Sequence, residues 1–572
     1  MDEWNGKTIT VDLVSKAPMF EVKDNTRIVN MVATKPMDVF MARMNCSNDV
    51  VPAISSQYLV SAELFDGTDS HNILEPTDEE KDEGNFMDSP EDSSFPIHFE
   101  PAHDFVPPFY FDQVNKKSTA SAMENSSELS ISHITPKVGT TQKHLWVDLT
   151  TTYNGNYSAA QNINGREYTR RKAVLRAVGE YCYVWVVEGF FSDTENSTQK
   201  ISSAKAQELA VKFDQIYPLV RGVFGAEADT MINSGSLGLD FPKIETVSDT
   251  GKIVNIVLYD IEGDSGYSYG GGVYGYFWAK DYYTSAYSAS AGTKNRAVQL
   301  TNQGKYFYVD SYFANADAAS IYSTLAHEFQ HMINFGNKTM ASMKKAGTNG
   351  NVLYPKTWYN EMLSMLCEDM MQEKLNLLDS DTPKARLHRF CTSYYSSGVT
   401  DWLAGDDVLK SYACSYAFGA YLARNYGGAA LVKNMSQNPY VDAESISQAL
   451  KATGNNLDFT TAFEKYAQAL ILDADSVHSK AEVSFDKDAP TVVFVNGYDF
   501  PMKAIDLFSY NGFSSGGGPV VLSAKKSERI TLRPFGFTLH KLGSLEEGEK
   551  MTLCFSSPKV TSEKVFILAQ QR

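Results

Sequence analysis

The sequence contains no uninterrupted run of about 18 apolar residues, the length that a helix needs to cross a membrane. It also contains no basic cluster: 51 Lys and Arg stand against 69 Asp and Glu, and a net charge of −18 repels nucleic acid and anionic lipid. The opening segment, MDEWNGKTITVDLV, lacks the basic start and apolar stretch of a secretory leader. We therefore expect no membrane span and no nucleic-acid partner, in a chain that is either intracellular or has lost a leader.

Cysteine is scarce as well, and none of the six cysteines belongs to a CxxC pair. This spacing excludes a zinc ribbon and a thioredoxin-like redox site. Six cysteines in 572 residues are too few for a disulfide-dense scaffold, so cysteine usage does not decide the redox compartment. The six residues are Cys46, Cys182, Cys367, Cys391, Cys414 and Cys554.

A chain of 572 residues is too long for one hydrophobic core, and its pattern changes along its length. Short β-type runs dominate the two ends, and helical patterns dominate the middle. The sequence therefore predicts an α+β protein. The expected units are a β-rich N-terminal region at 1–140, a first central subdomain at 141–335, a helical subdomain at 336–480 and a C-terminal β-sandwich at 481–572.

The stretch 61–100 differs from the rest because it holds 13 Asp or Glu and a single Lys or Arg, Lys81. Like charges interrupted by prolines cannot bury enough apolar surface to form a core. We interpret this stretch as a solvated linker, and the sequence leaves open whether it is a propeptide. Calcium binding has no support there from a DxDxDG spacing. A second acidic run, Asp260 to Asp264, is compatible with calcium, but an ordinary polar turn is favoured.

Periodicity predicts long helices and buried strands in the central part of the chain. Apolar residues recur every three or four positions over 203–224, and Asp317 and Gly336 are suited to begin and end a helix over 317–335. The segment 265–293, rich in Gly, Ser and Tyr, suits a long loop or an irregular hairpin. Strands are expected at 144–153, 181–191, 253–263 and 304–313, and further helices at 358–377, 409–426, 429–436, 443–452 and 457–472.

The helix over 317–335 contains the string HEFQH, with His327, Glu328 and His331. Residues four apart lie on one face of a helix, so both imidazoles can reach one metal ion. Zinc prefers His nitrogen at about 2.0–2.1 Å, and Glu328 would stand beside the metal, where it can take a proton from water. A chance match is expected only on the order of 0.02 times in such a chain. Two exposed histidines on an amphipathic helix are the structural alternative.

A catalytic zinc site needs a third protein ligand and one open position for water. The next predicted helix offers Glu361, in the string NEMLS at 360–364. Glu368 lies two turns further along the same face and is the alternative ligand, although a solvated or supporting role is favoured for it and for Asp369. The segment 336–357 is expected to form the loop between the two helices.

The HEFQH helix followed by a helix with NExxS resembles the glutamate-zincins, the thermolysin-like metallopeptidases. The longer string STLAHEFQHMINF, preceded by YFYVDSYF and followed by WYNEMLS, is similar to hyicolysin-like bacterial metallopeptidases. The resemblance covers residues 250–430 best. It implies that His327, His331 and Glu361 bind Zn2+. Glu328 would be the general base.

By the same resemblance, the fold is a zincin-type catalytic domain, in which a mixed sheet packs on the active-site helix and a helical lobe follows. The flanking parts are the N-terminal β-rich region and the C-terminal β-sandwich. Zinc-activated water would hydrolyse peptide bonds. Related enzymes use a later Tyr or His as oxyanion donor. The segment 410–428 offers Tyr412, Tyr416 and Tyr421, of which Tyr416 is our choice.

Three functions are compatible with these features. The favoured one is a secreted, cell-surface or periplasmic endopeptidase that acts on proteins or peptides. An aminopeptidase of the glutamate-zincin type is the second, although no GxMEN-like string precedes the helix. The third is a non-catalytic adhesion or binding protein with structural zinc. Structural sites are closed and often contain Cys, and no Cys lies near HEFQH. The sequence predicts neither the substrate specificity nor the oligomeric state.

Overall fold

The computed structural model describes residues 6–14, 19–23, 25–52, 56–61, 97–98, 136–148, 161–163, 166–233, 236–240, 253–261, 271–284, 299–346, 352–404, 407–472, 485–494, 497–507, 518–523, 531–555 and 562–572. The acidic stretch expected to be a linker lies outside these residues, except for its position 61 and the pair 97–98. Most of the second acidic run, 262–264, also lies outside them.

The first part of the chain forms short strands. Exposure alternates along the first strand, and only its last residue is fully buried. This pattern is typical of a strand that has one face in solvent. The strands are β1 (Lys7–Leu13), β2 (Met19–Val22), β3 (Thr26–Ala33), β4 (Met37–Asn45), β5 (Val51–Pro52), β6 (Ser56–Ser61) and β7 (Ile97–His98).

A mixed sheet of seven strands forms the centre of the described structure. Its elements and those between them are β8 (Gln142–Val147), β9 (Gln161–Ile163), β10 (Arg166–Val178), β11 (Cys182–Val187), α1 (Ser203–Phe224), β12 (Thr230–Asn233), β13 (Ser236–Asp240), β14 (Val254–Tyr259), β15 (Gly271–Gly272), β16 (Gly275–Phe277) and β17 (Tyr306–Asp310). The order is β16-β17-β14-β11-β10-β8, with β9 paired to β10. Strands β11, β14 and β17 are parallel to one another and buried along their whole length, as expected for strands covered on both faces.

The second half of the central region is helical. Its elements are α2 (Ser311–Ala316), α3 (Ala318–Asn334), a π-helical segment (Phe335–Met340), α4 (Ala341–Ala346), α5 (Thr357–Leu375), α6 (Leu387–Ser393), α7 (Val408–Tyr426), α8 (Gly428–Gln437), α9 (Asp442–Ala452) and α10 (Phe459–Leu472). Helices α1 and α3 pack together through the stacked rings of Tyr217 and Phe329, whose centroids are 5.1 Å apart. Phe213 of α1 contacts Phe307 of β17, at 5.6 Å between ring centroids, which fixes this layer on the sheet.

The segment after the HEFQH helix differs from the predicted loop over 336–357. The chain continues through the π-helical segment into α4, so Gly336 does not end the helix. A Cβ on Gly336 would lie 3.0 Å from the backbone nitrogen of Ala228, which is tighter than an ordinary contact, so Gly336 packs closely on Ala228. The ammonium of Lys338 donates to the carbonyl oxygens of Met435 and Asn438, which holds the extra turns against the end of α8.

A strand boundary was also wrong. The strand predicted over 304–313 ends at Asp310, whose side chain accepts a hydrogen bond from the backbone N–H of Phe313 and so begins α2. The segment 265–293, expected to be a loop or an irregular hairpin, contains β15, β16 and a 3-10 turn at Ala279–Tyr282. Strand β16 pairs antiparallel with β17 and forms one end of the central sheet.

The two ends of the chain form one pair of sheets. The last strands are β18 (Leu522–Ser523), β19 (Thr531–Leu532), β20 (Phe537–Leu545), β21 (Lys550–Phe555) and β22 (Glu563–Gln571). The sheets have the orders β1-β3-β21-β6 and β18-β20-β4-β22-β2, and their apolar residues form a common core. The expectation of a C-terminal sandwich built from 481–572 alone is therefore wrong in its pairing, because β4 lies between β20 and β22. The domain limits themselves remain a prediction.

This terminal sandwich contacts the helical region. Phe535 packs against Phe463 of α10, at 5.4 Å between ring centroids. Arg533 donates two hydrogen bonds to Asp401, at 2.6 and 3.0 Å. Within the described residues, none of the helices is long and apolar enough to span a bilayer.

Candidate metal centre

Helix α3 carries both histidines on its buried face. As the sequence predicts, Asp317 begins this helix by accepting from the backbone N–H of Ser320. His327 and His331 are one turn apart and buried, and their ring centroids are separated by 4.6 Å. The alternative of two exposed histidines is therefore excluded.

Helix α5 brings Glu361 to the same point. Its Oε2 lies 3.2 Å from Nε2 of His327 and 3.6 Å from Nε2 of His331. One ligand atom from each of the three residues lies within 4.8 Å of the others, and all three side chains are buried. Two imidazole nitrogens and a carboxylate oxygen around one point are the donor set of a catalytic zinc site, so these residues fit a metal.

The other ring nitrogens face away from this point. Nδ1 of His327 lies 2.6 Å from Oε1 of Glu368, and Nδ1 of His331 lies 3.0 Å from Oγ of Ser364. Each Nε2 is thereby directed to the centre. Glu368, the alternative third ligand, contacts His327 on the opposite side of the ring from Glu361.

Glu328 is buried beside the first histidine and close to the edge of the central sheet. A Cβ on Gly275 of β16 would lie 3.4 Å from Cγ of Glu328 and 2.8 Å from both Cγ2 of Thr324 and the carbonyl oxygen of Tyr308. Only glycine allows β16 to approach α3 this closely. The carboxylate predicted to be the general base therefore lies next to an edge strand.

The three candidate tyrosines, Tyr412, Tyr416 and Tyr421, lie on α7 and are all buried. The hydroxyl of Tyr416 donates to Oδ2 of Asp369 at 3.1 Å, and Arg424 donates to both oxygens of the same carboxylate, at 2.9 and 3.2 Å. The ring of Tyr412 packs on Trp402, and the hydroxyls of Tyr421 and Tyr426 are 2.9 Å apart. The role of Tyr416 as oxyanion donor remains a prediction.

Sequence reasoning identified some of the contacts that hold the ligands and missed others. Glu368 and Asp369 were expected to be solvated or to support the site; both are buried, and Glu368 supports the site through its contact with His327. The roles of Ser323 and Ser364 were not recognised. Spacing could have found them, because Ser323 precedes His327 by one helical turn and Ser364 follows Glu361 by about one.

A mixed sheet, an HExxH helix packed on it and a buried glutamate from a following helix define the class of metallopeptidases. The model of the peptidase M30 family matches residues 167–492, and the chain belongs to this family. This confirms the resemblance to hyicolysin-like bacterial metallopeptidases that the sequence motifs indicated.

The chain is also similar to individual proteins. It is 28% identical over 304 residues to the neutral metalloprotease ShpI of Staphylococcus hyicus, in a match that covers 50% of this chain and 56% of that protein. The chain thus spans little more than half the length of this relative. A solved aminopeptidase N family protein of Idiomarina loihiensis is 12% identical, with coverage of 71% of this chain and 70% of that one; its TM-score of 0.26 is too low to support an argument.

Proposed function

We propose that the protein is a zinc-dependent endopeptidase. The observation that carries the proposal is the convergence of His327 Nε2 and His331 Nε2 on one oxygen of Glu361, at 3.2 and 3.6 Å in a buried setting. Membership of the M30 family supports the same reaction class. These three residues would hold Zn2+; calcium has no support from the described residues.

When bound, Zn2+ supplies a Lewis acid that polarises the scissile carbonyl and acidifies water. Glu328 takes a proton from the attacking water and delivers it to the departing amine. The Glu328 carboxylate is buried beside β16. Tyr416 is our proposed oxyanion donor; because its hydroxyl is directed to Asp369 in this structure, the hydroxyl must turn to serve a substrate.

Peptide substrates are supported by the position of β16. This strand ends the central sheet in the described residues, and Gly275 brings it against Glu328. The edge of a sheet can pair with an extended peptide through backbone hydrogen bonds. A peptide laid along β16 would extend past Glu328 in both directions, which favours cleavage within a chain over removal of a terminal residue.

We further propose that 141–335 and 336–480 are the two halves of a zincin-type catalytic unit, with the terminal sandwich as an accessory module. The division of the catalytic unit into these two halves is supported by the candidate ligands: His327 and His331 come from α3 in the first half, and Glu361 comes from α5 in the second. A secreted or surface location is proposed from the family resemblance and from the β-rich regions that flank the catalytic unit, since such modules can place a catalytic domain on extracellular targets.

Two fluorogenic peptides of one internal sequence, one blocked at both ends and one with a free amine, test the endopeptidase proposal. We expect comparable cleavage of both, and about one equivalent of zinc per chain by elemental analysis. Cleavage of the free-amine peptide alone would identify an aminopeptidase. Stoichiometric zinc without cleavage of either peptide, or of casein, would favour a binding protein.

A further inference from the structure

One carboxylate of α5 contacts the active-site helix α3 twice. Oε1 of Glu368 lies 2.6 Å from Nδ1 of His327, and Oε2 accepts a hydrogen bond from Oγ of Ser323 at 2.6 Å. Ser323 and His327 are four residues apart on α3, so both contacts fall on one face of that helix. All three side chains are buried, which protects the contacts from competition by water.

Helix α5 also contacts the other side of the His327 ring, through Glu361. Glu361 and Glu368 are seven residues apart on α5, about two turns, and therefore share a face. Glu361 approaches Nε2 of His327 at 3.2 Å while Glu368 contacts Nδ1. A rotation or slide of α5 against α3 would thus disturb both nitrogens of this one ring.

His331 is held differently. Its Nδ1 contacts the hydroxyl of Ser364 at 3.0 Å, and that hydroxyl donates to Oε1 of Gln330. The Ser364 oxygen therefore accepts from the ring, as Glu368 does for His327. A carboxylate forms a stronger hydrogen bond with such a donor than a neutral hydroxyl does. Of the two histidines, His327 therefore has the stronger hydrogen bond at its Nδ1.

We propose that Glu368 and Ser323 form a positioning pair that orients His327 and sets the register of α5 against α3, so that the metal site is assembled before the metal binds. The inference rests on the proposed zinc site. Ser323 contributes by fixing the second oxygen of Glu368, and it contacts neither the metal position nor the substrate. The pair therefore acts through His327.

Substitution of Glu368 separates the geometry of this pair from its charge. In Glu368→Gln, the side-chain oxygen can still accept from His327 and the amide can donate to Ser323, whereas Glu368→Ala removes both contacts. Loss of a support of this kind typically weakens metal binding about 10- to 100-fold, and we expect that range for Glu368→Ala. Glu368→Gln should recover part of the loss.

Substitution of Ser323 tests the second half of the pair. Ser323→Ala should weaken zinc binding by about 2- to 10-fold, the equivalent of one net hydrogen bond. Ser320→Ala is the matched control, because it removes a hydroxyl from the same helix about one turn earlier and should leave the affinity unchanged. In the Glu368→Ala background, Ser323→Ala should have no further effect, since its partner is gone.

The experiment measures the zinc dissociation constant of the full chain by competition with a chromophoric chelator, and the thermal midpoint of the zinc-free protein. The predicted result is a graded loss of affinity, with the double variant equal to Glu368→Ala. The inference is overturned if Ser323→Ala binds zinc like Ser320→Ala, if the two effects add, or if only the thermal midpoint changes. If Glu368→Ala does not fold, Glu368→Gln and Ser323→Ala still decide between these results.

These outcomes are separate from the test of the proposed function. A wild-type protein that binds zinc but cleaves no peptide contradicts the proposed function, while the order of zinc affinities still supports or overturns the positioning pair. A wild-type protein that binds no zinc contradicts both.

Discussion

Nη2 of Arg43 lies 2.6 Å from Oε1 of Glu563, and both side chains are fully buried. Arg43 belongs to β4 and Glu563 begins β22, so this ion pair joins strands that are more than five hundred positions apart in the chain. It lies in the terminal sandwich, in which each sheet contains strands from both ends of the chain. The folding of this sandwich therefore requires both ends of the chain.

Loss of Arg43 should destabilise this sandwich. Arg43→Ala is expected to lower the free energy of unfolding by about 3–5 kcal/mol, because it leaves the charge of Glu563 buried without its cation. Arg572→Ala is the control: Arg572 forms an ion pair with Glu546 in which both side chains are substantially exposed, and such pairs contribute at most about 1 kcal/mol. Urea denaturation measures both, and equal effects would contradict the account.

Substitution of Gly275 should lower activity. In Gly275→Ala, the new Cβ would lie 2.8 Å from the Tyr308 carbonyl oxygen of β17 and 2.8 Å from Cγ2 of Thr324 on α3, so β16 must shift relative to α3 and Glu328. We expect kcat/KM to fall about 10- to 100-fold through misplacement of the base. Gly454→Ala is the control: its Cβ would meet nothing within 4 Å, so it costs only backbone strain at φ +83° and leaves kcat/KM unchanged. Wild-type kinetics for Gly275→Ala would remove β16 from the site.

The proposed role of Tyr416 is tested by removal of its hydroxyl. Tyr416→Phe should lower kcat by about 10²- to 10³-fold and change KM little, as expected for loss of an oxyanion donor. The matched control is Tyr421→Phe, since the Tyr421 hydroxyl contacts Tyr426 on the same helix. If kcat is unchanged and only the free energy of unfolding falls, Tyr416 serves the Asp369–Arg424 cluster instead of the substrate.

Stability should depend on pH through Asp442. Burial raises the pKa of the Asp442 carboxyl from 3.8 to about 6. The folded state therefore holds this proton more tightly than the unfolded state, and its contribution to stability is lost as the pH rises through the window from about 4 to about 6. In Asp442→Asn, which can still accept from the Lys356 backbone N–H, this dependence should disappear. Urea midpoints at several pH values test this, and parallel curves for the two proteins would contradict it.

Local patterns were sufficient for the central helices. The helix predicted over 203–224 has those bounds in the structure, and the helix predicted over 317–335 begins one residue later, at Ala318. Apolar spacing and capping residues act within a few turns, so they can be read from neighbouring positions. The same is true of the spacing that brings His327 and His331 together.

Features that depend on distant contacts were not predictable in this way. In the sequence, Gly336 indicates the end of a helix. In the structure, this glycine lies within the helical segment and packs against Ala228 from another part of the chain. The alternation of β4 with β20 and β22 follows from which strands meet in space, and strand patterns do not specify their partners. The carboxylate of Glu368 could equally have been a metal ligand by residue type. Only the placement of α5 shows that it contacts Nδ1 of His327 instead.

The most direct measurement compares the wild-type protein with Glu328→Gln, by zinc content and by cleavage of casein. The substitution keeps the shape of the side chain and both histidines but removes the base. We predict that both proteins hold about one zinc, and that Glu328→Gln cleaves about 10²- to 10⁴-fold more slowly. Equal cleavage by the two zinc-loaded proteins would show that Glu328 is not the base and would contradict the account.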